Sequence, residues 1–301
     1  MSLKIKRPTV RSMLIFSTLF FLICFTFPAL VSCEETVKGN EFEKLIRKLI
    51  DDGFDKEKIE KIFAGKEIAF APESVSQFFI HSESSLDYDR FTSPKAIESA
   101  LKYLTDNQEI LDKAEVAFGV DKTIITAILL VETRLGSYLG TKTVINTLST
   151  MAALSDEALR ERIWDAIPDG KKPSKDYFIK KAQDKMNWGY NELKALLQYT
   201  EKEGIAPESI KGSYAGALGM AQFIPSSYLT YALKQGGLSK WLLGTEEAIF
   251  SIGNYLKSNG WKKNLSLEQK RKVLWSYNHS APYGETILDV AQKIKSPAPR
   301  K

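Results

Sequence analysis

Cysteine and histidine are scarce in this chain of 301 residues, and their scarcity excludes the sites that depend on them. Two cysteines and two histidines are present. They are too few for a disulfide scaffold or for a zinc site built from several such ligands. Any chemistry therefore has to come mainly from carboxylates, hydroxyls, amides and aromatic rings. Hydrophobic residues make up 44% of the chain, which supports a packed core and excludes a disordered protein.

Positive charge is in small excess, and most of that excess lies at the N-terminus. The chain has 42 Lys and Arg against 37 Asp and Glu, a net charge of +5. Four of the cations and none of the acids fall within residues 1–32, which leaves a net charge of +1 for the rest. A protein that binds nucleic acid needs a strongly basic face. We therefore expect no nucleic-acid partner.

The N-terminus has the pattern of an export signal. Residues 1–12 are basic, and the segment from Met13 to Phe27 is almost wholly apolar. The sequence LVSC at residues 30–33 then resembles the bacterial lipobox, in which Cys33 would become diacylated after cleavage. Ordinary signal cleavage nearby and an uncleaved anchor helix are the alternatives, since the apolar run is nearly long enough to span a bilayer. Each of the three interpretations exports the rest of the chain. If Cys33 is lipidated, the residue after it, Glu34, implies that the anchor is in the outer membrane.

Helical spacing dominates the chain after residue 41, and neither an alternating strand pattern nor an internal repeat is convincing. The pattern predicts two short helices that Gly53 separates, one helix from Pro94 to Phe118, and one that Asp121 caps and that closes near Gly136. Further helices are predicted at 155–205 (two or three), 225–235, 245–259, 266–275 and 282–295. Residues 67–91 are predicted as loops that could include a short strand. We therefore expect a mostly α protein. Its predicted parts are a signal peptide at 1–32, a linker at 33–41, an N-terminal helical lobe at 42–91, a core at 92–295 and a tail at 296–301.

One carboxylate lies on an apolar helix face. Glu132 stands near the end of the predicted helix that begins at Thr123. By the i, i+3, i+4 rule it shares its face with Ile125, Ile128 and Leu129. Burial disfavours a charged carboxyl and the negative end of the helix dipole acts in the same direction, so both predict a raised pKa, which suits a general acid. The alternatives are a core glutamate paired with an arginine and one that rotates out to solvent.

A glycine-rich segment at 212–228, GSYAGALGMAQFIPSSY, combines small residues with hydrogen-bonding and aromatic ones. Small residues let the backbone approach another surface closely. Ser213, Gln222 and Phe223 supply a hydroxyl, an amide and an aromatic face, which is the combination that a hydroxyl-rich sugar needs. A glycine-rich turn between packed helices is the alternative, and the lysine and spacing of a phosphate loop are missing.

Four blocks in a fixed order carry a family resemblance. They read VETRLGSYLGTKTVINTLSTMA, GSYAGALGMAQFIPSSYLTYA, EEAIFSIGNYLKSNGW and WSYNHSAPY. From about Phe42 to Ile294 the chain resembles the lytic murein transglycosylase B family of bacterial cell-wall enzymes. The resemblance implies a lysozyme-like, mostly helical core that cleaves the β-1,4 bond between N-acetylmuramic acid and N-acetylglucosamine without adding water. The product would carry a 1,6-anhydromuramoyl end.

The resemblance also implies roles for particular residues. Glu132 matches the single catalytic acid and base. The residues that match substrate contacts are Tyr88, Ser213, Gln222, Phe223, Tyr255, Tyr277 and Asn278. The acid-rich calcium loop of some members has no counterpart in the stretch ALKQGGLSKWLLGTEEA, so we expect neither a metal nor another cofactor. Whether Arg160 and Arg162 replace the paired arginines of the family stays open, and with it the recognition of the peptide stem.

Two other functions are open at this point. One is a lysozyme-type muramidase, which has the same fold and hydrolyses the bond. The other is a non-catalytic lipoprotein that binds peptidoglycan. The expected partners are peptidoglycan glycan strands and a membrane that the lipid at Cys33 would reach. We expect a monomer in the periplasm, anchored to the outer membrane.

Overall fold

Helices make up most of the structure, a computed structural model that describes residues 41–80, 87–233 and 244–296. Within these ranges the α-helices are α1 (Glu43–Asp51), α2 (Lys56–Phe63), α3 (Pro72–Ile80), α4 (Pro94–Asp106), α5 (Gln108–Phe118), α6 (Lys122–Thr133), α7 (Val144–Ala152), α8 (Glu157–Asp165), α9 (Lys175–Glu203), α10 (Pro225–Tyr231), α11 (Thr245–Ser258), α12 (Leu267–Tyr277) and α13 (Ala281–Lys295). Short 3-10 turns lie at Asp89–Phe91, Ala153–Ser155, Asp169–Lys171 and Pro207–Ser209. The prediction of a mostly α protein is confirmed.

Several helices begin and end where the sequence places caps. The Ser93 hydroxyl accepts a hydrogen bond from the Ala96 backbone and so begins α4. The Asp121 carboxylate accepts one from the Thr123 backbone at 3.0 Å and begins α6. Gly119 ends α5 in the left-handed conformation, at φ 69°, which suits glycine because it has no Cβ.

The prediction of one helix from Pro94 to Phe118 is wrong, because the helix is broken at Asn107. The backbone of Asn107 leaves the helical region, at φ −115° and ψ 22°, and separates α4 from α5. Its side-chain amide donates a hydrogen bond to the Tyr103 carbonyl at 2.9 Å. Asparagine competes with the helix in this way for nearby backbone groups, and the apolar spacing on both sides does not reveal it.

The prediction of loops at 67–91 is also wrong in part, since α3 occupies nine of these residues. The helix buries Val75 and Phe79, four residues apart, but it buries Ser74 and Ser76 as well. These hydroxyls have partners: Ser74 Oγ lies 3.3 Å from Thr147 Oγ1, and Ser76 Oγ donates to the backbone of its own helix. Buried serines hide the apolar period on which the sequence prediction depends.

Helix α6 forms the centre of the core. Nine of its twelve residues are buried, and it packs against α4, α5, α11 and α13. A helix that is apolar nearly all round belongs in the interior of a protein. The end of α6 therefore has a fixed position, and that end carries Glu132.

A small sheet holds the glycine-rich segment beside the loop that follows α6. Strands β1 (Lys142–Thr143) and β2 (Lys211–Gly212) are antiparallel, with Lys142 opposite Gly212. Gly140 precedes them at φ 90°, and a Cβ there would lie 2.1 Å from the Gly212 carbonyl oxygen. Only glycine permits this approach of the two backbones.

The N-terminal helices pack on the side of the molecule formed by α7, α8 and α9. Helix α3 contacts α7 and α8, and the Tyr190 hydroxyl of α9 lies 3.0 Å from Asp52 Oδ2, just after α1. By its contacts Gly39–Lys301 is one compact unit. The boundary between a lobe at 42–91 and a core at 92–295 stays a prediction.

Several expectations concern residues outside the described ranges. They are the signal peptide at 1–32, the lipid anchor at Cys33, the linker up to residue 40 and the tail after Ser296. In the described part of the chain, no helix is both long enough and apolar enough to cross a membrane.

Candidate active site

Glu132 lies at the C-terminal end of α6, where the backbone turns sharply. The next residues after the helix, Arg134 and Leu135, both have positive φ, at 50° and 60°. Such backbone is costly outside glycine and is found mainly where the surrounding structure holds it, as at functional sites. The Thr133 hydroxyl donates to the Met220 carbonyl at 3.1 Å and so ties the helix end to the glycine-rich segment. Glu132 itself is half-buried, so it is neither a fully buried core residue nor a side chain turned out to solvent.

A tyrosine that the sequence analysis did not single out contacts the Glu132 carboxylate directly. The Tyr283 hydroxyl donates a hydrogen bond to Glu132 Oε1 at 2.7 Å. Its ring is 1% exposed and stands in the first turn of α13. Burial, and then the charge of Glu132, raises the pKa of Tyr283 well above its usual range. The hydroxyl therefore stays protonated and keeps donating to the carboxylate.

A row of four aromatic rings begins at Tyr283. Tyr277 is stacked on Tyr283, with ring centroids 6.2 Å apart and planes 11° apart. The rings of Tyr255 and Phe223 follow, 4.9 and 5.7 Å from that of Tyr277. Burial raises the pKa of Tyr277 far above the usual value, and the charge of Glu132 adds to this. Tyr277 thus stays protonated, and its hydroxyl donates to the Ala221 carbonyl at 2.6 Å.

The glycine-rich segment is held in a turn by its own polar side chains. The Ser213 hydroxyl accepts hydrogen bonds from the backbones of Ala215 and Ala217, both at 3.1 Å. Gln222 adopts a left-handed conformation, at φ 47°, and its amide donates to the Gly219 carbonyl at 2.9 Å. These bonds determine the backbone path that brings Gln222 and Phe223 to the cleft.

Four of the seven predicted substrate-binding residues line one cavity of about 250 Å³. They are Gln222, Phe223, Tyr255 and Tyr277. The cavity is also lined by residues that the sequence analysis did not select, and these include Trp188, Ser276 and His279. Trp188 stands on the long helix α9, where nothing in the local pattern separates it from a packing residue.

The other three predicted residues lie outside the lining of this cavity. Tyr88 is half-buried, and it is the last of the groups that raise the pKa of Tyr283, after burial, Glu132 and Tyr277. Asn278 is half-buried at the end of α12, next to Tyr277. Ser213 is half-buried in the turn described above.

Arg160 and Arg162 are engaged in contacts near the N-terminal helices. Arg160 donates to the Leu154 carbonyl at 3.1 Å, and Arg162 forms an ion pair with Glu41. Neither of them lines the cavity that contains Gln222. In the described ranges, no group of three or more His, Cys, Asp or Glu side chains is arranged to hold a metal ion. The stretch compared with a calcium loop lies partly at 234–243, outside those ranges.

Comparisons with known proteins agree with this architecture. The family model described as the transglycosylase SLT domain matches residues 38–270. Over 177 residues the chain is 30% identical to the membrane-bound lytic murein transglycosylase B of Escherichia coli (strain K12). That match covers 58% of this chain and 41% of the relative, so the chain aligns with less than half of that protein's length.

Solved structures show the same fold. The soluble lytic transglycosylase SltB1 from Pseudomonas aeruginosa matches with a TM-score of 0.66 and 20% identity, over 83% of this chain and 97% of that one. The Escherichia coli lytic transglycosylase Slt35 in complex with bulgecin A gives 0.64 and 20%, over 87% and 94%. SltB3 from Pseudomonas aeruginosa in complex with NAG-NAM-pentapeptide gives 0.65 and 18%, over 86% and 80%. The predicted lysozyme-like fold is confirmed.

Proposed function

Because the chain belongs to the transglycosylase SLT domain family, as its resemblance to lytic murein transglycosylase B predicted, we propose that it is a lytic transglycosylase of peptidoglycan. Its substrate is the glycan strand, and it cleaves the β-1,4 bond between N-acetylmuramic acid and N-acetylglucosamine. The names of its relatives and the muropeptide bound to SltB3 support this substrate class.

One observation carries the proposal: a half-buried glutamate at a helix end accepts a hydrogen bond from a buried tyrosine, and the ring of that tyrosine is stacked on Tyr277, which lines the cavity. Tyr283 donates to Oε1 of Glu132 and so fixes the orientation of the carboxyl group that would transfer the proton. Catalytic groups work best when their own rotamers are locked by surrounding contacts. The bond to Tyr283 supplies that constraint.

Most glycosidases need two carboxylates, and we propose that Glu132 serves both steps here. Protonated Glu132 donates its proton to the glycosidic oxygen as the bond to the muramoyl C1 breaks. The muramoyl N-acetyl group, or the electrostatics of the cleft, stabilises the positive charge that develops at C1. Ionised Glu132 then takes the proton of the C6 hydroxyl while that oxygen attacks C1. No water is consumed, Glu132 regains its proton, and the product is a 1,6-anhydromuramoyl end.

Intramolecular attack explains how ring closure competes with water. The C6 hydroxyl is attached to the same sugar as C1, and such groups react at effective concentrations far above those of a separate molecule. The cleft has to hold the muramoyl ring so that this hydroxyl faces C1. We assign that orientation to Gln222 and Tyr277, with Tyr255 and Phe223 forming the wall.

We assign supporting substrate contacts to the three predicted residues outside this cavity. Asn278 is adjacent in sequence to Tyr277, and Tyr88 lies near Tyr283. Ser213 belongs to the turn that leads to Gln222. All three are half-buried, so part of each side chain is accessible to a bound strand.

We further propose that the enzyme acts outside the cytoplasm as a monomer and is anchored by a lipid at Cys33. The basic and apolar segments at residues 1–27 and the lipobox-like sequence at 30–33 support export and lipidation. The curated relative is described as membrane-bound, which agrees with an anchored protein.

Product analysis of wild type and Glu132→Gln tests the reaction. Purified sacculi are digested and the muropeptides are separated by mass, because an anhydro end is lighter than a reducing end by one water. We expect anhydro ends from wild type and a loss of about 100- to 10,000-fold in Glu132→Gln, the usual range for a general acid and base. Glu98→Gln, on the exposed face of α4, is the control and should keep full activity.

Each contrary result has a definite meaning. Reducing ends throughout would identify a muramidase of the same fold. Full activity in Glu132→Gln would remove Glu132 from the chemistry. Binding of sacculi by wild type without any cleavage would identify a non-catalytic peptidoglycan-binding protein.

A further inference from the structure

Trp275 is a large aromatic side chain that is exposed near the end of α12. It stands in the last turn of α12 and is 48% exposed. Its ring lies 5.7 Å from that of His279, with the two planes 33° apart. Helix α12 packs on the core through Val273 and Leu274, so Trp275 is not needed for that packing.

The pair of rings is continuous with the cavity of the candidate active site. His279 lines that cavity, and so does Ser276, the residue next to Trp275. Tyr277 also lines the cavity and is stacked on Tyr283, the hydrogen-bond partner of Glu132. Because the ring of Trp275 lies beside that of His279, a glycan that fills the cavity and extends past His279 would contact Trp275.

Hydrogen bonds fix the backbone segment that carries both rings. The segment between α12 and α13 is short, and the Ser280 backbone donates to the Asn278 carbonyl at 2.7 Å. The Asn278 backbone donates to the Leu274 carbonyl at 3.1 Å, and the Ser280 hydroxyl caps α13. A segment whose backbone is already fixed loses little backbone entropy on binding, which favours affinity for a ligand at these rings.

Flat, exposed aromatic rings suit the ring faces of sugars. The face of a hexopyranose presents C–H groups while its edges carry hydroxyls, so it packs on an indole and still leaves its polar groups in water. An exposed tryptophan joined to a polar cleft is a feature of a binding surface, unlike an isolated apolar residue on a protein surface. We propose that Trp275 and His279 form a distal sugar subsite, which binds a further hexopyranose ring of the same glycan strand. This inference rests on the proposed function and extends its substrate from the cleaved bond to the neighbouring sugars.

Truncation of Trp275 tests the subsite through the length of the substrate. The variants Trp275→Ala and Trp275→Phe are compared with wild type on peptide-free glycan strands and on a tetrasaccharide of two repeats. For Trp275→Ala we expect kcat/KM on long strands to fall about two- to tenfold, mainly through KM, the size of one aromatic stacking contact. The loss on the tetrasaccharide should be smaller, and Trp275→Phe should recover most of the activity. Leu267→Ala, 58% exposed at the start of the same helix, is the control and should match wild type.

Binding without cleavage separates this inference from the proposed reaction. In the Glu132→Gln background, hexa-N-acetylchitohexaose should change the tryptophan fluorescence, and the change should shrink when Trp275 becomes Phe. Equal losses on long and short substrates, or unchanged binding in Trp275→Ala, would overturn the subsite even if wild type cleaves sacculi. If wild type does not cleave but the fluorescence change still depends on Trp275, the subsite stands and the proposed reaction fails. Thermal unfolding of each variant shows whether its fold is intact.

Discussion

Replacing Tyr283 by Phe removes one hydroxyl beside the proposed catalytic acid and leaves the ring in place. That ring is almost fully buried and stacked on Tyr277, so Phe keeps the packing. What is lost is the hydrogen bond of 2.7 Å to Glu132 Oε1. The substitution therefore isolates the electrostatic contribution of Tyr283.

The size of the effect follows from the strength of that bond. A hydrogen bond to a charged group contributes about 1.5–3 kcal/mol. Because Tyr283 donates, it favours the ionised carboxylate over the protonated form. Its loss should therefore raise the apparent pKa of the catalytic acid. The limb of the activity profile that falls with rising pH should then move to higher pH.

The assay is the pH dependence of kcat/KM on soluble glycan strands for wild type and Tyr283→Phe. We also expect a lower maximum, since the carboxylate loses the contact that orients it. Tyr190→Phe is a matched control, because the Tyr190 hydroxyl lies 3.0 Å from the Asp52 carboxylate, among the N-terminal helices. Its pH profile should be that of wild type.

Two outcomes would refute this reasoning. If the limb stays where it is in Tyr283→Phe, the hydrogen bond does not act on the group that titrates in catalysis. If the limb moves to lower pH, Glu132 accepts its stabilisation from elsewhere and Tyr283 has another role. A change in Tyr190→Phe equal to that in Tyr283→Phe would attribute both effects to general loosening of the fold.

Three further predictions concern other parts of the chain. Glu192→Gln weakens the two hydrogen bonds that Ser226 donates to this buried carboxylate at 2.8 and 2.9 Å. We expect the free energy of unfolding to fall by about 1.5–3 kcal/mol, which calorimetry should show as a Tm lower by roughly 3 to 12 °C. Burial raises the pKa of Asp121, but hydrogen bonds from Lys295 and Thr123 outweigh burial and lower this pKa below 3.8. The ionised carboxylate therefore stabilises the fold fully above about pH 4, and this stabilisation is lost as the pH falls through the folded-state pKa. Between pH 5 and about pH 3, the Tm of Asp121→Asn should therefore fall less than that of wild type. Cys33→Ser should move the protein from the membrane fraction to the soluble fraction, and a wild type that is already soluble would contradict lipidation.

Part of the candidate site follows from the sequence because it depends on local spacing. Glu132 was identified from the apolar residues on its helix face, and α6 is indeed the buried helix that this pattern predicts. The glycine-rich segment was identified from its small residues, and its turn is held by Ser213 as a close backbone path requires. Where the local pattern is weak the prediction is wrong, as at α3, whose buried serines interrupt the apolar period.

The sequence by itself determined the helical class, several helix ends and the one carboxylate on an apolar face, because periodicity and caps are properties of neighbouring residues. Only the tertiary structure decided which side chain meets that carboxylate, since Tyr283 is 151 residues away along the chain. A tyrosine in the first turn of an amphipathic helix has the pattern of a core residue, and spacing shows which face it occupies but not what lies opposite. The packing of α13 against α6 places the two side chains together, and that packing depends on the whole core.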